Sequence, residues 1–166
     1  MSGLRAPVAN TVDEGDALAG RGCAMDSYQK FFSWCDRQGL KADREIAEAF
    51  GMTPQTVRNW KHRLEAGEGV PPTYLGLACV GFESARSTGN GEVPRLEPMT
   101  VDFFKTWREH RGLETLESTG GAFGLTRQAI HNWFKRDRLP RWLPLACLGY
   151  EVRTSPEGSG AAASNP

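Results

Sequence analysis

The chain has 166 residues, 24% of them charged and 39% apolar, with a formal net charge of +0. That profile belongs to a globular protein with room for one medium or two small domains. It excludes a membrane-spanning segment, since no apolar run is long enough, and it excludes a chain that coats nucleic acid through bulk charge, although a local patch still steers binding.

Residues 1–25 hold Gly, Ala, Asp and Pro without the apolar core of a signal peptide, and are read as a disordered N-terminal arm. Residues 26–83 are expected to form four helices. Asp26 or Ser27 caps the first, which carries Tyr28, Phe31, Phe32 and Trp34 to about Gln38. The second covers Ala42 to Phe50. Gly51 then suits a left-handed turn, Met52 plugs the corner, Thr53 caps the third helix and Pro54 takes its first position. That third helix runs to Arg63 and turns Val57 and Trp60 inward at helical spacing. A fourth spans Thr73 to Phe82. Residues 84–98 contain Gly89, Asn90, Gly91, Pro94 and Pro98 and read as a flexible linker.

Residues 99–153 repeat this plan with helices at Val101–Arg111, Leu116–Phe123, Arg127–Arg136 and Trp142–Tyr150. The stretch Ala-Phe-Gly-Met-Thr-Pro-Gln-Thr-Val-Arg-Asn-Trp-Lys-His-Arg from Ala49 returns 73 positions later as Ala-Phe-Gly-Leu-Thr-Arg-Gln-Ala-Ile-His-Asn-Trp-Phe-Lys-Arg from Ala122. Upstream, Phe31, Trp34, Gly39 and Leu40 match Phe104, Trp107, Gly112 and Leu113 at the same shift. Downstream, Pro72 to Glu83 matches Pro140 to Glu151 at a shift of 68, so the first copy holds five extra residues between Leu64 and Pro71. Thr119 and Gly120 stand where the first copy has Ile46 and Ala47, and Gly120 is also where a neighbouring backbone is expected to come close. Glycine within a helix costs about 1 kcal/mol against alanine, so a frayed or short helix is expected there. Phe31, Trp34, Phe50, Trp60 and Tyr74 are expected to form one core, and Phe104, Trp107, Phe123, Trp133 and Trp142 the other. Residues 154–166 are rich in Ser, Gly and Ala and read as a disordered tail.

The doubled stretch resembles the helix-turn-helix of Cro-like, lambda-repressor-like transcription regulators, and with its flanking helices the resemblance covers most of the chain. It implies an all-α fold of two tandem four-helix domains, and a bacterial or phage repressor that binds double-stranded DNA. The second copy departs from the family pattern at Thr119 and Gly120, where an aliphatic residue followed by alanine is usual.

The outward face of each third helix carries the candidate contacts. Thr53, Gln55, Arg58, Asn59 and His62 are outward in the first copy, and Thr126, Arg127, Gln128, His131, Asn132 and Lys135 in the second. Gln and Asn amides match the adenine N6/N7 edge, and the guanidinium forks of Arg58 and Arg127 match guanine O6/N7. Lys61, Arg63, Lys135, Arg136 and Arg138 stand where phosphates pass, which sets register rather than sequence. The bland alternative for every one of these is a solvated helix face. From Leu96 to Arg153 there are nine basic and seven acidic residues, with the bases clustered between Arg127 and Arg141.

No catalytic constellation is present, and no enzyme activity or cofactor is expected. The four cysteines lack ligand spacing, and His62, His110 and His131 are scattered, so no metal site is expected and reduced thiols in the cytoplasm are. A competing reading makes one or both repeats a protein-interaction module, or a homodimerisation device, because neutrality and the acidic Leu64–Gly69 loop suit a polypeptide partner. The linker reaches roughly 45–50 Å when extended and roughly 20 Å as a relaxed coil. One chain is thus expected to span two successive major grooves, about 34 Å apart, on an operator with two related but unequal half-sites.

Overall fold

The computed structural model describes residues 25–155. Within them eight helices and no strand form an all-α fold: α1 (Tyr28–Arg37), α2 (Asp43–Phe50), α3 (Pro54–Ala66), α4 (Thr73–Thr88), α5 (Val101–His110), α6 (Leu116–Phe123), α7 (Arg127–Arg136) and α8 (Leu143–Thr154). None is long and apolar enough to cross a membrane. Residues 1–24 of the expected arm and 156–166 of the expected tail lie outside the described residues. Met25, assigned to the arm, is instead buried beside Gly76 of α4. Thr154 ends α8 rather than opening a tail.

Local chemistry sets the ends of these helices. Hydroxyls of Ser27, Thr53, Thr100, Thr115 and Thr126 each accept from a backbone N–H one turn on, capping α1, α3, α5, α6 and α7. α2 begins at Ala42 with no hydroxyl, and Glu45 Oε2 accepts from the amides of Lys41 and Ala42 instead, each at 2.9 Å. At the far ends of α1 and α5 the two Gly-Leu pairs behave alike. Gly39 and Gly112 take φ of +82° and +73°, and the Leu40 and Leu113 amides donate back to Cys35 and Arg108 at 2.9 and 2.8 Å. Both leucines are thereby turned into the core. Pro144 falls in the first turn of α8, where its missing N–H costs nothing.

The expected fraying of α6 does not occur. α6 has eight residues, as α2 does. Thr119 is fully buried, and its hydroxyl reaches the carbonyls of Leu113 (3.1 Å) and Thr115 (2.8 Å). A Cβ on Gly120 would lie 2.6 Å from the carbonyl oxygen of Leu125. The glycine is there because the following turn folds tightly onto it.

Each unit buries its aromatics. Phe31, Trp34, Phe50, Val57, Trp60 and Phe82 fill the first core, and Phe104, Trp107, Phe123 and Leu143 the second, with Trp133 on its flank. The buried indoles are satisfied in the same way. Trp34 Nε1 donates to Glu83 and Trp107 Nε1 to Glu151, both at 2.6 Å. Cys35, Cys79 and Cys147 are buried, and Cys23 lies outside the described residues. Burial, with Asp36 adding to it, pushes the Cys35 thiol up to about 12, and burial with Glu151 nearby raises Cys147 as well.

The units are not separate. α4 and α8 pack along each other with Gly81 and Gly149 at the crossing: a Cβ on Gly81 would fall on the carbonyl of Leu145, and one on Gly149 on the carbonyl of Leu77. Leu145 of α8 is buried in the first core, and Leu77 of α4 in the second. Tyr74 and Trp142 stack at 3.9 Å with planes 8° apart. The sequence places these two in separate cores, and they form the joint instead. Gly51 meets the Cβ of Arg141, and Gly124 that of Thr73. These contacts recur with the partners' roles exchanged, the hallmark of a two-fold interface, here within one chain.

The linker differs from expectation accordingly. α4 continues to Thr88, so residues 84–88 are helical. Beyond it Leu96 packs onto the first core beside Gly51. Packing of α4 on α8, and not the reach of a loose tether, sets the distance between the two units.

Candidate nucleic-acid interface

The α2–turn–α3 and α6–turn–α7 corners are built from the same bonds. Gly51 and Gly124 adopt φ of +65° and +70°. The next amides, Met52 and Leu125, donate to Ala47 (2.8 Å) and Gly120 (2.7 Å), closing the preceding helix. Thr53 then accepts from the Thr56 amide at 3.2 Å, and Thr126 from the Ala129 amide at 3.1 Å. Fully buried Val57 and Ile130 pin α3 and α7 to their cores. What remains of each helix faces outward.

Gln55, Arg58, Asn59, His62 and Arg63 are exposed on the first unit, and Arg127, Gln128, His131, Lys135, Arg136 and Arg138 on the second, with Asn132 half-buried. Thr53 and Thr126 are exposed too, with their oxygens committed as helix caps. The shared amide pairs are joined in the same sense. Gln55 Nε2 donates to Asn59 Oδ1 at 2.9 Å, and Gln128 Nε2 to Asn132 Oδ1 at 3.0 Å. One turn of helix separates the partners of each pair, so the two amides form a single polar strip near the start of the helix.

The basic residues sort less evenly. Lys61 does not stand free for phosphate, as the sequence suggested. Its ammonium lies 2.5 Å from Asp43 Oδ1 and over the Phe32 ring at 5.6 Å, which ties α3 to α2 and α1. His62 faces Glu65 at 3.6 Å and Arg127 faces Glu117 at 3.4 Å, both exposed pairs that solvent screens. Arg63 lies along Gly69 of the inserted loop and lines an open cleft of about 490 Å³ with Tyr28, Asn59, Val70 and Gly124. Lys135 and Arg136 occupy the last turn of α7, and Arg138 follows the left-handed Asp137 that ends it. Among the described residues these three have no acidic partner.

One residue of this surface escaped the sequence reading. Arg141, exposed, sets its Cβ against Gly51, so the second unit contributes a cation at the turn of the first. Nothing in the spacing signals it, because the contact exists only once α4 and α8 have paired. Among the described residues no group of three His, Cys, Asp or Glu side chains converges as a metal site would require.

No curated protein and no solved structure matches the chain. A family model described as a homeodomain-like domain matches residues 41–74, the stretch from the start of α2 through α3 to the first turn of α4. The chain thus carries, in its first unit, a helix-turn-helix domain of the kind that binds DNA.

Proposed function

We propose that the protein is a sequence-specific regulator of transcription, a repressor of the Cro-like, lambda-repressor-like plan, that lays α3 and α7 in successive major grooves of double-stranded DNA. The observation that carries this reading is the two-fold joint between α4 and α8 within a single chain. A duplex offers half-sites related by two-folds, and DNA-binding dimers match them with their own symmetry. Here one polypeptide supplies both halves, each with an exposed Gln–Asn strip. The protein needs no second copy to read two half-sites.

Gln55, Asn59, Gln128 and Asn132 are the base readers, with Arg58 and Arg127 beside them. Arg63, Lys135, Arg136 and Arg138 meet phosphates. Lys61 is removed from that set because its charge is already held by Asp43.

Footprinting combined with sedimentation tests the proposal. A monomer protecting two half-sites is the expected result, and one protected half-site per chain overturns it. The ion-paired His62 and Arg127 and the neutral net charge favour a polypeptide partner as the second reading. Salt separates the two: duplex affinity falls steeply with ionic strength through counterion release, and an apolar protein interface lacks that slope.

A further inference from the structure

The two recognition helices share their Gln–Asn strips and differ in what stands beside them. On α3, Arg58 donates from Nε (3.4 Å) and from its terminal amino group (3.0 Å) to Oε1 of Gln55. Gln55 in turn donates to Oδ1 of Asn59. Oε1 of Gln55 therefore has both its lone pairs engaged within the protein, while Oδ1 of Asn59 accepts one bond and keeps a lone pair. At the Gln55–Arg58 pair only donors stay uncommitted: the remaining guanidinium N–H groups and one N–H of Gln55. On α7 the position of Arg58 is held by His131, and no donor among the described residues reaches Oε1 of Gln128. That strip keeps an acceptor next to a donor.

Resting on the DNA-binding reading above, we propose that Arg58 is a specificity-determining residue that makes α3 a reader of guanine, whereas the same Gln–Asn pair without it leaves α7 a reader of adenine. In the major groove guanine presents two acceptors, N7 and O6, while adenine presents the acceptor N7 beside the donor N6. The Gln55–Arg58 pair, which offers only donors, pairs fully with guanine. Opposite adenine it leaves the N6 amino group facing an engaged carbonyl and a guanidinium charge, and an unpaired buried donor is costly. The Gln128 amide, with one acceptor and one free donor, fits adenine in the bidentate manner. Residues identical in the two units thus read different bases, because a neighbour commits their hydrogen-bonding capacity.

The experiment is selection of bound duplexes from a random pool by the full-length chain, with each half-site assigned to its helix by the preference that Gln55→Ala or Gln128→Ala abolishes. Wild-type protein is expected to enrich guanine under α3 and adenine under α7. Arg58→His should shift the α3 half-site from guanine to adenine, and His131→Arg should shift the α7 half-site the other way. Each shift should change the affinity ratio by roughly tenfold or more, as a good bidentate contact does. Both positions are exposed, and unchanged helical circular dichroism checks that the variants fold. Enrichment in which Arg58→His keeps guanine, or in which both wild-type half-sites centre on adenine, overturns this inference and leaves DNA binding standing. A wild-type pool with no enriched duplex overturns the DNA-binding reading and this inference with it.

Discussion

The two helix-turn-helix units agree where they pack and diverge where they face solvent. Their turns, the hydroxyl caps of α1 and α5 and of α3 and α7, the Gly-Leu closures and the Trp–Glu bonds coincide residue for residue. One pair shows how such agreement survives substitution. In the first unit Lys61 on α3 lies over Phe32 on α1 at 5.6 Å, and in the second Lys105 on α5 lies over Phe134 on α7 at 5.2 Å. The positions are equivalent and the residues are exchanged. Packing demands one ring and one cation across this seam and does not specify which helix supplies which. The exposed faces carry no such demand, and there Arg58 stands opposite His131, His62 opposite Lys135, and thirteen-residue α3 opposite ten-residue α7. Similarity between the copies is thus a record of packing, and their differences are free to serve recognition.

The joint that relates the copies is the first place to break the comparison. Gly149→Ala puts a methyl group onto the Leu77 carbonyl and should cost about 2–3 kcal/mol or more through overpacking, read as a lower thermal midpoint and loss of the two-half-site footprint. Gly121→Ala on the exposed side of α6, where a Cβ meets open space, should instead stabilise by about 0.5–1 kcal/mol. If the two substitutions behave alike, α4 and α8 do not meet at these glycines.

Next in size is the division of labour on α7. Gln128→Ala should lose about 1–3 kcal/mol at a single base pair, leaving other positions and the salt slope intact. Arg136→Ala should weaken all duplexes alike and lower the salt slope by about one unit. Binding isotherms on matched and mismatched duplexes at several salt concentrations separate the two patterns, and a common pattern would mean that the faces are wrongly assigned.

The smallest effect sharpens the comparison of the seams. Phe32→Lys and Lys61→Phe should each cost about 1 kcal/mol by removing the ring–cation contact, with Asp43 losing its partner in the second case. The double exchange recreates the arrangement of the second unit and should recover part of that loss. A denaturation cycle measures the coupling, and strictly additive costs would show that the seam is not one interaction. Duplex affinity should stay level throughout, since the Lys61 ammonium is already paired with Asp43.

Helix order, the left-handed glycines, the threonine caps and the outward Gln–Asn strips were all determined by the amino-acid sequence. Each depends on residues within one or two helical turns of one another, and the 73-residue repeat states them twice. Lys61 reads as a free outward charge because charge and helical face point outward locally, while Asp43 and Phe32 reach it from other helices. Gly120 reads both as a weak point of its helix and as a place of close backbone approach, and the Leu125 carbonyl that presses on it decides for the second. Only tertiary structure decided that the units form one two-fold body, with Tyr74 on Trp142, Leu77 and Leu145 exchanged between cores, and Arg141 at the turn of the other unit. The physical reason is range. Gly81 and Gly149 are unremarkable in their own helices, and their meaning is the absence of a side chain where another backbone, 68 residues away in sequence, must pass.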